Sequence, residues 1–283
     1  MADPAYANSG QFVWSGTGGL SSAYNVGAGS DRVLFVYVAR HMEGTISGIT
    51  YGGVALTQVK TGQSSRLGVT VLLDVWVLHA PTANSNTLAI TTANHLSTTR
   101  WISMAEVFTN ADQSLANYLK ANEEYAADTQ SATTTNSWTH DHASDANSLL
   151  INAWCTKGTG GGTHGGLAAS QTERLEGDNG YGTILSITDK AGDGTTLTVS
   201  GSITGSQANS VGYVWSHVLL PPQSILVDSS GVPATAVGSV FIGGIEDANL
   251  AISPEAIVET LTISIGAILV TYPIEADMFI GIK

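Results

Sequence analysis

Charge is what this sequence has least of. Only 12% of its 283 residues are Asp, Glu, Lys or Arg, about half of the roughly 25% usual in globular proteins. Hydrophobic residues stand at an ordinary 43%, so the shortage is not that of a disordered chain. Straight-chain helix formers are scarce, and Gly, Ser, Thr, Asn and Ala take their place, which excludes long helices and coiled coils and favours strands and turns. A single cysteine excludes an intrachain disulfide. In Leu149 to Cys155 the alternation puts Leu149, Ile151, Ala153 and Cys155 on one face, so Cys155 reads as a small buried hydrophobe; a nucleophile would want a nearby base, and none is marked. The most membrane-like stretch, 256–274, holds Glu259, several Thr and Ser, and Pro273. It falls short of the ~20 mostly apolar residues of a span and reads as buried strands. The start, Met1-Ala-Asp-Pro4, has no basic residues followed by an apolar run, so no secretory signal peptide is expected.

Cations are the scarcer of the charged residues. Lys and Arg number 10 against 23 Asp and Glu, for a net charge of −13, and neither Lys nor Arg occurs between Lys190 and Lys283. Nucleic-acid binding works through cations that displace counterions from phosphates, so no nucleic-acid partner is expected. An anionic membrane surface would repel the chain as well.

What is present is alternation. Asp31 to His41 carries Val33, Phe35, Tyr37 and Ala39 on one face and Leu34, Val36 and Val38 on the other, the pattern of a central strand covered on both sides. Residues 45–59 read as strand, turn, strand around Gly52-Gly53. Residues 67–80, 87–92 and 98–108 read as further strands, and Trp101, Ser103, Ala105 and Val107 alternate with Ile102, Met104, Glu106 and Phe108. One helix is predicted over 112–126 from Leu115, Tyr118, Leu119 and Tyr125. Strands resume over 133–140, 149–156, 167–173, 183–188, 195–201 and 211–220. Many short strands without helices between them predict an all-β fold, an antiparallel two-sheet β-sandwich over residues 1–221. Pro221-Pro222 ends this unit. Residues 222–283 read as a small C-terminal β domain, apolar for its size and too short to be stable without packing on another surface. Its candidate interface residues are Ile225, Val227, Val240, Phe241, Ile242, Ile263, Ile265 and Phe279.

Several clusters invite a chemical reading, and each has a plainer one. His140 and His142 fall on one side of a strand with Asp145 nearby, but a third ligand at typical spacing is lacking, so a solvated strand end is expected and no metal. Asp189 to Gly194 has the flavour of a calcium loop without its alternating acids or terminal Glu, and reads as a turn. Gly158 to Gly166 is glycine-rich but lacks the Lys-Ser/Thr that grips phosphate, and reads as a flexible hairpin tip. Neither Gly-x-Ser-x-Gly nor His-Glu-x-x-His occurs. The pairs Glu123/Glu124 and Glu173/Glu176 are sequence neighbours, not carboxylates shown to flank a cleft. No catalytic residue and no cofactor is expected. The six tryptophans, Trp14, Trp76, Trp101, Trp138, Trp154 and Trp215, sit mostly within apolar alternation and are expected to be mainly core, although some would suit a sugar-stacking platform.

The order of pieces resembles a family. Asp31-Arg-Val-Leu-Phe-Val36, Ile49-Thr-Tyr-Gly-Gly-Val-Ala-Leu-Thr-Gln-Val59, Trp76-Val-Leu-His-Ala-Pro81, Asn86-Thr-Leu-Ala-Ile-Thr91, Glu106 to Gln113, Ser148-Leu-Leu-Ile-Asn152 and Tyr213 to Pro221 together resemble a β-sandwich module of tailed-phage virion structural proteins and related bacterial surface proteins. The resemblance runs over about residues 31–221, with the Tyr-Gly-Gly hairpin as its most specific mark. It departs from the pattern in 112–133 and 159–166. It implies a jelly-roll or immunoglobulin-like sandwich, a place on the outer surface of a virion or on a cell surface, and no catalytic residues. The expected function is therefore a non-enzymatic capsid decoration or head-fibre protein, a homo-oligomer docked on the major capsid protein or on tail components. The alternatives are a carbohydrate- or receptor-binding module and a subunit of an extracellular filament.

Overall fold

The alternation seen in the sequence becomes strand in the computed structural model, which describes residues 2–15, 19–41, 44–66, 68–93, 100–113, 123–125, 137–159, 162–205, 208–222, 260–265 and 268–273. The chain divides into two units, 1–222 and 223–283. In the first unit the strands are β1 (Ala5–Ser15), β2 (Leu20–Asn25), β3 (Val33–His41), β4 (Thr45–Tyr51), β5 (Val54–Ala55), β6 (Thr57–Arg66), β7 (Val69–His79), β8 (Ser85–Ala93) and β9 (Arg100–Thr109). These are followed by β10 (Glu123–Tyr125), β11 (Ser137–Ala143), β12 (Leu149–Thr159), β13 (Gly162–Gly165), β14 (Thr172–Asp178), β15 (Thr183–Ala191), β16 (Thr196–Gly205) and β17 (Ala208–Leu219). The described residues contain no helix.

The fold is all-β and antiparallel, as expected, and the sandwich occurs twice. Strands β1 to β9 form a first inner sheet of order β1-β9-β3-β7-β6 and a first outer sheet of order β2-β8-β4-β5. Strands β10 to β17 form a second inner sheet of order β10-β17-β12-β15-β14 and a second outer sheet of order β11-β16-β13. Each half is an eight-stranded sandwich of jelly-roll type, with β5 as an extra short strand in the first. The two inner sheets face each other, so four layers enclose three apolar cores. The central core takes Phe35, Tyr37, Leu73 and Met104 from one inner sheet and Ile151, Ile187, Tyr213 and Trp215 from the other. The first flanking core joins Val36, Trp76 and Trp101 to Tyr51, Leu88 and Ile90. The second joins Leu150, Trp154 and Val214 to Trp138, Val199 and Ile203. Being covered on both faces buries the central inner strands along most of their length, and β3 is buried from Val33 to Arg40.

Three expectations change. The helix over 112–126 is not found where it is described: Glu123–Tyr125 is an edge strand paired with Ser216, Trp215 and Val214, and 114–122 and 126 lie outside the described residues. Pairing with an existing sheet edge outweighs the helical spacing of a few apolar residues. The strand expected at 167–173 starts at Thr172, because Gln171 N–H donates to the Ala168 carbonyl and closes a turn. The glycine-rich hairpin tip holds strand β13, whose residues pair with Ile203 and its neighbours.

In the second unit, β18 (Thr260–Ile265) and β19 (Ile268–Pro273) form an antiparallel hairpin.

Candidate functional site

The hairpin of the second unit has a decided polarity. Its register sets Leu261 opposite Tyr272, Ile263 opposite Val270 and Ile265 opposite Ile268. Directly opposed residues share a face and alternate residues share a face, so all six of these apolar residues lie on one face. The other face takes Thr260, Thr262, Ser264, Leu269, Thr271 and Pro273. A two-stranded hairpin is marginal in water by itself, and an apolar face is stable only when covered. Two of the interface candidates, Ile263 and Ile265, fall on this face. Ile225, Val227, Val240, Phe241, Ile242 and Phe279 lie outside the described residues.

A second concentration of chemistry, which sequence reading did not single out, lies in the central core. Glu106 on β9 is fully buried, and neither of its oxygens has a hydrogen-bond partner among the described residues. Its alternation with Met104 and Phe108 forces it into the space between the inner sheets. Burial, reinforced by Asp189 and opposed by Arg174, holds its carboxyl well above the usual carboxylate range. Asp189 on β15 is buried and accepts from Arg174 Nε at 2.6 Å, and the Arg174 guanidinium covers the Tyr6 ring at 4.7 Å. His217 on β17 is fully enclosed, stacked on Trp215 at 4.2 Å and tilted against Phe35 at 4.8 Å. Both of its ring nitrogens are without a partner among the described residues. Burial, with His142 contributing, lowers its pKa to about 3, so the imidazole is neutral. These groups are enclosed in a packed interior, and they bear on stability (below) more than on substrate.

The remaining sequence candidates scatter. His140 and His142 stand on β11 with ring centroids 6.0 Å apart. His142 is buried rather than solvated, its Nδ1 2.6 Å from the Ala143 carbonyl oxygen, because β11 is backed by the second flanking core. Among the described residues no group of three or more His, Cys, Asp or Glu is placed to hold a metal ion. The stretch read as one turn from Asp189 to Gly194 separates: Asp189 belongs to β15, and only Asp193 serves a turn, accepting from Thr195 N–H at 2.9 Å and its hydroxyl at 2.6 Å. His164, in the supposed flexible tip, is buried against Trp154 at 3.7 Å and within 2.7 Å of the Ser186 hydroxyl. Burial lowers its pKa to about 3. On β14, Glu173 is exposed and Glu176 half-buried, and partial desolvation raises both pKa values. Glu123 and Glu124 lie on β10. Cys155 is fully buried, and burial pushes its thiol up. All six tryptophans are buried, with Trp76 the most exposed at 8%.

No known protein family matches the chain, and no curated protein matches it. Among solved structures, it is similar to oxalate decarboxylase from Bacillus subtilis, solved at pH 4.6. The identity is 8% over 74% of this chain and 76% of that one, with a TM-score of 0.16, a likeness too small to inform fold or function. Among the described residues no helix is long and apolar enough to cross a membrane.

Proposed function

We propose that the chain is a non-enzymatic virion structural protein of a tailed bacteriophage, a capsid decoration or head-fibre protein on the outer surface of the particle. In this reading the 1–222 unit projects, and the C-terminal β segment docks a homo-oligomer on the major capsid protein or on tail components. The observation that carries it is the hairpin face made of Leu261, Ile263, Ile265, Ile268, Val270 and Tyr272. Covering it contributes roughly 25 cal/mol per Å² of apolar area before the cost of association. Ladder bonds from strand addition at the hairpin edge are a second source of affinity. The jelly-roll architecture is compatible with the reading but serves lectins and enzymes as well, so it does not decide the matter. The carbohydrate-binding alternative loses its main motive, since none of the six tryptophans offers an open ring face.

The test is made on assembled particles. Antibody raised against the chain is expected to label intact tailed particles on the shell by immunogold microscopy. The full-length variant carrying Ile263→Asp and Val270→Asp is expected to fold, by circular dichroism, and to be absent from purified particles. A variant taken up at the normal level, or particles devoid of the chain, would overturn the proposal.

A further inference from the structure

The likeness of the two sandwiches extends from strand order to single residues. Val33 pairs with His79 and Phe108 on its two neighbours, and Leu149 pairs with Ala191 and Leu219 on the corresponding two. Carried along the ladders, this register makes Phe35 equivalent to Ile151, Leu73 to Leu185, Met104 to Trp215 and Glu106 to His217. The same irregularities then fall at the same places. β6 breaks register between Gln58 and Lys60, and β14 between Glu173 and Leu175, so Val59 and Arg174 are equivalent bulges. Asp31 and Asn147, each two residues before an equivalent strand position, are both left-handed, with φ of 46° and 63°. Ala80 N–H donates to the Arg32 carbonyl at 2.8 Å, and Gly192 N–H to the Ser148 carbonyl at 2.8 Å. Bulges are designed features that persist within families, and matching ones at matching positions mark a duplicated unit.

The contact between the halves is reciprocal as well. β7 lies against β12 and β17, and its counterpart β15 lies against β3 and β9; β6 touches β17, and β14 touches β9. Gly62 on β6 and Gly177 on β14 are equivalent in register, paired with Leu73 and Leu185. Each makes room for a side chain of the opposite half. A Cβ on Gly62 would lie 1.9 Å from the Tyr213 ring on β17, and one on Gly177 would lie 2.3 Å from the Gln11 amide on β1, so the glycines are equivalent while the reciprocity of what they meet holds between strands and not at these two contacts. A surface that meets its own counterpart with i against j and j against i is isologous, the geometry of a two-fold homodimer. A largely apolar, enclosed layer of this kind is also what obligate dimers share, the core of a domain cut in half.

We infer that the face between the inner sheets is a self-complementary dimer interface: each sandwich is a folding module in its own right, and the partner its inner face fits is a second copy of the same module, supplied here by one chain. The inference does not depend on the function proposed above.

The test starts from the full chain with a protease recognition sequence placed within 114–122. After cleavage the halves are unfolded, separated and refolded alone and together. The N-terminal half, which carries no C-terminal unit, is expected to regain its β-sheet circular dichroism alone and to sediment as a dimer, and the mixture to give a one-to-one pair. Halves that regain structure only when mixed would show one indivisible domain and overturn the inference. A half that precipitates alone is decided by calorimetry on the uncleaved chain bearing Gly62→Val, which wedges the face open at Tyr213. Two separate transitions are expected there, and a single transition at lower temperature would overturn the inference.

Discussion

At the scale of residues, the central core pays for ionisable groups in opposite directions. Glu106 is held protonated in the fold because burial and Asp189 disfavour its charge. Its folded pKa is raised, so the unfolded chain releases a proton above about pH 4.5 and stability falls as pH rises from there. Glu106→Leu removes both the unpaired oxygens and this pH dependence. It is expected to raise unfolding free energy by ~1–3 kcal/mol at pH 4.5, the usual cost of a buried unsatisfied group, and by more at pH 7.5, where ionisation of Glu106 in the unfolded chain adds to the loss, measured from urea midpoints. Two of the buried histidines act the other way. His164 and His217 titrate near 3 in the fold and near 6.5 when unfolded. The unfolded chain binds the extra protons in that window, so stability is lost as pH falls from about 6.5 towards about 3. Well inside the window each histidine contributes a slope of about 1.4 kcal/mol per pH unit. His217→Phe keeps the stack on Trp215 and is expected to remove one such slope between pH 4 and 5.5; an unchanged pH profile would contradict the enclosure of His217. The alternation that aims Glu106 inward is legible in the sequence, since Met104 and Phe108 flank it. The burial of His164 is not, because a run of glycines around one histidine gives no sign of the Trp154 face on which it stacks.

At the scale of elements, strands with apolar residues on both faces were the most legible, and β3, β7, β9, β12 and β17 lie close to where alternation puts them. Edge elements were not. β1 and β2 escape sequence reading because Ala5 to Asn25 mixes small polar residues with few aliphatics, and the ladder to β9 holds β1 where propensity does not. The duplication escapes for a related reason. Equivalent positions keep a face and a volume class, as with Val75 and Ile187, but seldom an identity, and Glu106 stands against His217. Packing between elements is testable where it is tightest. Gly62→Ala sets a methyl where the Tyr213 ring lies, and overpacking of this kind costs ~1–3 kcal/mol. Tyr213→Leu is expected to recover part of that loss in a double-mutant cycle, because the contact and not the strand propensity of β6 is at fault. Additive losses would place the strain within β6 itself.

At the scale of the molecule, the two units differ in what they need. Residues 2–222 already enclose three cores, and the face that would make each sandwich sticky is closed by the other. By contrast, residues 223–283 contribute a hairpin with one face of Leu, Ile, Val and Tyr, in a segment with 7 acids and 1 base. A segment of about 60 residues buries only ~60% of its unfolded surface, so the proposed docking would supply much of its stability. The apolar character of this segment was legible in the sequence, whereas the pairing register that gathers six apolar residues on one face was not. Ending the chain after Pro222 is therefore expected to leave a soluble monomer by sedimentation, with a melting temperature within a few degrees of the full chain, since the three described cores are built from residues 2–222. The full chain is expected to sediment as an oligomer under the same conditions. A truncated chain that still assembles would move the proposed docking into the first unit, and one that fails to fold would make residues 223–283 necessary to the stability of that unit.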